Sequence, residues 1–97
     1  MNSEATSNEL TLSRHLDADG RLIAMPRKRA ARLVVLRHCA SLIEPDIEHS
    51  ETDVNNRLRP VADDVAMLRR YLVDERLLVR RPPGIYRRAD GAEPSVQ

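Results

Sequence analysis

Leu77-Leu78-Val79-Arg80-Arg81-Pro82-Pro83-Gly84-Ile85-Tyr86-Arg87-Arg88 is the stretch whose reading decides the fold. Residues 77–81 and 85–88 are short, apolar at one end and basic at the other, and Pro82-Pro83-Gly84 between them carries the residue types of a turn. Two strands joined as a hairpin are predicted, with the arginines protecting its edges from pairing with another chain.

Outward from the hairpin, residues 62–75 predict a helix that turns Val65, Leu68 and Leu72 inward. Asp63 and Asp64 then sit at its N-terminal end, where the helix dipole favours negative charge. The opposite face shows Asp63, Ala66, Met67, Arg70 and Asp74, with Arg69 on the flank. Before it, Ser50 followed by Asp53 resembles a capping arrangement, and Val54 and Leu58 share a face one turn apart, so a two-turn helix ends near Pro60.

Residues 26–43 hold no Gly and, after Pro26, no further Pro. Leu33, Leu36, Ala40 and Ile43 fall on one face, widened by Ala31, Val35, Cys39 and Leu42, an arc too broad for a surface helix. It is read as the central helix, starting at Pro26, or as one that also meets a partner subunit. Asp17-Ala18-Asp19-Gly20 is a turn signal, followed by a short extended piece over residues 21–25. Residues 1–12 and 89–97 lack sustained periodicity and are expected to be flexible tails around one domain, residues 13–88. The order of elements is that of a mainly α, winged helix-turn-helix-like fold with a small C-terminal β-hairpin.

Composition narrows the function classes. Phe and Trp are absent, so the core is built from aliphatic residues with Tyr71 and Tyr86 as the only aromatics. Net charge is +1, but the distribution is uneven: residues 27–37 carry five positive charges and no negative one, and residues 44–53 carry five negative charges and no positive one. Residues 69–88 hold seven arginines against Asp74 and Glu75, which predicts a dipolar surface. Fifteen of the sixteen basic residues are Arg, whose planar fork suits phosphate or carboxylate, although a GC-rich genome yields the same bias. The single Cys39 excludes an internal disulfide and no apolar run reaches the roughly 20 residues of a membrane span, so a cytoplasmic protein is expected.

The ordered motifs resemble those of a bacterial family, domain-of-unknown-function family 2087. They are Asp19-Gly20-Arg21-Leu22 leading to Met25-Pro26, Lys28-Arg29 with residues 32–38, Glu51 and Val54-Asn55, Asp63-Asp64-Val65-Ala66 through Leu68-Arg69-Arg70, Leu72-Val73, Leu77-Leu78 and Tyr86-Arg87. The likeness covers about residues 15–88. It implies a winged-helix-like module in a regulatory setting, alone or attached to transcriptional regulators, with no established activity. The family's aromatic positions before the second helix and before the third are His49 and Val61 here, which argues against a role built on aromatic stacking.

The expected function is a non-catalytic, DNA-binding or transcription-associated module with double-stranded DNA as partner. The candidate contacts are Arg69 and Arg70 on the third helix, Arg80, Arg81, Arg87 and Arg88 in the hairpin, Arg57 and Arg59 at the end of the second helix, and Arg27, Lys28 and Arg29. Third helix and hairpin are expected to present one contiguous basic ridge, suited to phosphates more than to base edges. The bland alternative is that these arginines solubilise the fold and pair with the acidic segment. The rival class is an interaction module, forming a homodimer or docking onto a larger regulator.

Catalysis, a metal and a cofactor are not expected. His38 and Cys39 are adjacent and point about 100° apart on a helix, so Cys39 reads as core and His38 as surface. His15, His38, Cys39 and His49 lack metal-ligand spacing. The turn at Asp17 echoes a calcium loop, but its twelfth position is Lys28 where a bidentate Glu is required.

Overall fold

A computed structural model describes residues 3–89. Its elements are α1 (Ser3–His15), α2 (Arg29–Ala40), β1 (Glu48–Ser50), α3 (Glu51–Leu58), α4 (Val65–Asp74), β2 (Leu78–Arg81) and β3 (Ile85–Arg88). The described residues are therefore mainly helical, with one three-stranded antiparallel sheet in the order β1-β3-β2. The tail expected at the C-terminus lies outside the described residues from position 90 onward.

The core collects the apolar faces of α2, α3 and α4. Val35, Leu36 and Cys39 of α2, Val54 and Leu58 of α3, and Leu68 and Leu72 of α4 are fully buried, and Leu77, Leu78 and Tyr86 close the core from the sheet side. Helix α2 begins three residues after Pro26, because Lys28 is extended (φ −74°, ψ 132°) and occupies the N-cap position without a side-chain bond. At its other end the chain tightens, with the Leu42 N–H donating to Cys39 and that of Ile43 to Ala40. This short-pitch turn carries Ile43 into the core although the α-helix has ended.

Local chemistry sets the other helix boundaries. The Ser50 side chain accepts from the Asp53 N–H at 3.0 Å and starts α3, as the Ser-x-x-Asp spacing predicts. Asp64 caps α4 in the same way, accepting from the Met67 N–H at 3.0 Å, so the helix opens at Val65 and not at 62. Helix α4 stops at a left-handed residue, Arg76 (φ 62°). The Arg76 N–H donates to Val73 and the Leu77 N–H to Leu72, a Schellman motif that reverses the chain into β2.

Two elements depart from the sequence reading. Of residues 1–12, expected as a tail, positions 1–2 lie outside the described residues and the rest are helical from Ser3, where Leu12 on α1 and Leu16 just beyond its end, one turn apart, pack against the core. The Leu16–Leu22 bridge and the Leu22 N–H to Val61 bond of 2.7 Å then tie this segment to the body. Strand β1 was not expected; His49 pairs with Tyr86 across β3, flanked by Glu48 with Arg87 and Ser50 with Ile85. It turns a two-stranded hairpin into a sheet anchored to α3, which follows β1 without a linker.

Candidate nucleic-acid interface

The register of the sheet decides where its arginines point. In an antiparallel pair, directly opposed residues share a face and successive residues alternate. Arg80 opposes Tyr86 and Arg88 opposes Leu78, so these two arginines stand on the face that packs toward the helices. Val79 opposes Arg87 and Arg81 opposes Ile85, so Arg81 and Arg87 stand on the outer face. The single contiguous ridge expected from the sequence is thus divided by the sheet into two sides.

The inner side forms a groove of about 370 Å³ between α4 and the sheet. Ala66, Arg70 and Asp74 line it from the exposed edge of α4, Arg80 from β2, and Tyr86 and Arg69 from within. Arg69 is held there by the protein itself. Its Nη1 donates to the Asn55 Oδ1 at 3.0 Å and lies 3.5 Å from Glu51, and its guanidinium carbon sits 6.0 Å from the centre of the Tyr86 ring. Tyr86 in turn donates its hydroxyl to Glu51 at 3.0 Å. Burial, reinforced by that bond, pushes the Tyr86 hydroxyl above its ordinary pKa.

Four of the other nine candidate arginines are also engaged. Arg81 pairs with Glu48 at 2.6 Å, and Arg29 with Glu75 at 2.7 Å. Arg57 meets Asp53 at 3.1 Å and Arg88 donates to the Ile43 carbonyl at 3.1 Å. Arg70, Arg80, Arg87, Arg59, Arg27 and Lys28 are exposed, and their side chains meet no acceptor among the described residues. Of these, Arg70 and Arg80 share the inner groove while Arg87 stands behind the sheet. Arg27 and Lys28 lie in the segment before α2, and Arg59 caps the end of α3.

The acidic segment is what consumes the charge. Glu48, Glu51 and Asp53 each hold an arginine, from β2, α4 and α3 respectively. Asp53 also meets the buried His49 at Nδ1, while His49 Nε2 lies 2.9 Å from the Glu44 carbonyl. The hydrogen bond to His49 and then Arg57 hold the Asp53 carboxyl below its ordinary range, against a desolvation effect of opposite sign. The role of Glu51 and Asn55 as the seat of Arg69 was not foreseen; the signals were their place among the family-like motifs and their spacing of four on one helix, which places them on a common face.

His49 and Val61, which stand at the aromatic positions of the resembled family, are both buried, 4% and 3% exposed, so they belong to the packing and not to a stacking surface. Cys39 is likewise in the core, and burial pushes its thiol up to about 12. No group of three or more His, Cys, Asp or Glu side chains is placed to hold a metal among the described residues. No helix of the described residues is long and apolar enough to cross a membrane.

Residues 21–88 match the family described as "Uncharacterized protein conserved in bacteria (DUF2087)", and the chain belongs to that bacterial family. No curated protein and no solved structure matches the chain.

Proposed function

We propose that this chain is a winged-helix-like module of the bacterial cytoplasm that holds duplex DNA by its phosphates and performs no catalysis. The order α2-β1-α3-α4-β2-β3 supports the fold assignment, since α3 and α4 are consecutive short helices and the β2–β3 hairpin stands beside α4 as a wing would. The observation that carries the function is the set of exposed guanidinium groups without a protein acceptor, Arg70 on α4 and Arg80 and Arg87 on the hairpin. The exposed row of α4 reads Ala66, Arg70, Asp74, which offers one cation and one carboxylate to a groove; positioning by phosphate contacts therefore outweighs base reading. Cys39, the single thiol of the chain, is fully buried, which argues against it as a nucleophile.

The test is duplex binding by the full chain across a salt series. Binding should weaken steeply with salt, and the double variant Arg80→Ala, Arg87→Ala should flatten the log–log slope by about two, close to one per lost phosphate contact. A chain that ignores duplex DNA at low salt overturns the reading. In that event the second reading, a dimerisation or docking module, takes its place. It is favoured by Leu10 and Ile23, 52% and 65% exposed, and would show as a dimer mass in solution that DNA does not change.

A further inference from the structure

We infer that the groove between α4 and β2 is a seat for a single phosphate group, clamped between Arg70 and Arg80 beside Arg69. The inference goes deeper into the proposed function by naming the one place where a phosphate is fixed, and it also stands without DNA. Three guanidinium groups converge on this groove, Arg69 and Arg70 from α4 and Arg80 from β2. Two carboxylates share it, but Glu51 already accepts from the Tyr86 hydroxyl and faces Arg69, which leaves Asp74 as the only other counter-charge.

The donors outnumber the acceptors in the same way. Arg70 and Arg80 have no acceptor among the described residues, and the Nε of Arg69 is buried without one. Guanidinium groups held near each other repel, and an anion placed between them removes that cost while accepting from both forks. Phosphate fits the arrangement because its several oxygens can take donors arriving from two different elements, whereas a planar carboxylate matches one fork at a time. Ala66, a single methyl group on the exposed edge of α4, leaves the mouth of the groove open. Arg69 stays fixed by Asn55 and Tyr86, so it supplies positive field while Arg70 and Arg80 supply contacts.

The phosphate can belong to a DNA backbone or to a small phosphorylated molecule, and the experiment separates them. In the full chain labelled at arginine nitrogen, the Nε–H signals are followed by NMR during titration with inorganic phosphate, ionic strength being held constant with chloride. The signals of Arg69, Arg70 and Arg80 should shift saturably while that of Arg37, exposed on α2, stays in place. Arg70→Ala or Arg80→Ala should each weaken phosphate binding about tenfold, the loss of one charge-assisted contact, and Arg37→Ala should leave it unchanged. Shifts no larger than those with chloride alone, or equal shifts at Arg37, overturn the inference. A duplex displaced by phosphate identifies the backbone as the source. Phosphate binding by a chain that ignores duplex keeps the seat, assigns it to a small phosphorylated molecule and removes the DNA reading. Duplex binding that neither phosphate nor Arg70→Ala affects removes the seat and leaves the DNA reading standing.

Discussion

Arg69 and Arg70 are neighbours in sequence and opposites in role. A helical wheel puts both near the solvent side of α4, but Arg69 is drawn in by Asn55, Glu51 and the Tyr86 ring, and its side chain is only 17% exposed. Removing it strands a tyrosine–glutamate pair and an amide. Arg69→Ala should therefore cost about 1–3 kcal/mol of stability, whereas Arg70→Ala should change it by no more than about 0.5 kcal/mol. Denaturant midpoints of the two variants check this, and equal midpoints would show that the cluster holds nothing. The sequence could not separate the two arginines, since the partners of Arg69 come from α3 and β3, 14 or more positions away. Cys39 was legible, because its place on the apolar arc of α2 is a local property.

At the level of elements, what repeats with helical period or carries its own punctuation was readable. The Ser50 cap, the inward row of α4 and the Pro-Pro-Gly turn all depend on residues within a few positions of each other. Strand β1 was not, since three residues hold less than two periods of alternation and its pairing partner lies far along the chain. Helix α1 was missed because its polar sequence gains an apolar side only where Leu12 and Leu16 meet the body. The C-terminal end of α4 leads to a prediction. Arg76 holds the left-handed position (φ 62°) that glycine adopts without strain, between Val73 and Leu77 of the Schellman motif. Arg76→Gly should raise stability by about 0.5–1 kcal/mol, the relief of strain exceeding the entropy glycine adds to the unfolded chain. A thermal melt with a lowered midpoint would contradict that balance.

Over the whole molecule, ion pairs bind elements that are distant in sequence. Arg29–Glu75 joins the start of α2 to the end of α4, and Arg21–Asp63 joins the segment after α1 to the α3–α4 turn. The hydrogen bond from Arg29 holds the Glu75 carboxyl below its ordinary value, as the bond to His49 does for Asp53. Both groups ionise more readily in the folded chain, so the unfolded chain binds more protons in the window below the ordinary carboxylate range near pH 4. Stability from these two groups is complete above that range and falls as pH drops through it. In the double variant Asp53→Asn, Glu75→Gln the acid limb of the stability curve should be shallower, as read from urea midpoints between about pH 2 and 5; an unchanged limb rules these two out as its source.

The chain by itself determined three of the four helices among the described residues, the hairpin, most of the core positions and the uneven placing of charge, because each is written in spacing over a few residues; Leu33, read as inward, stays outside the core, and Met67, read as outward, packs against it. Only the tertiary structure decided which arginines remain free. Ion pairing joins charges by distance in space, and the acidic segment at 44–53 supplies β1 and the start of α3, where Glu48 and Glu51 pair with Arg81 and Arg69. The pleat of the sheet then sends Arg80 and Arg87 to opposite sides. That sorting depends on register and packing, which no count of charges along a sequence contains.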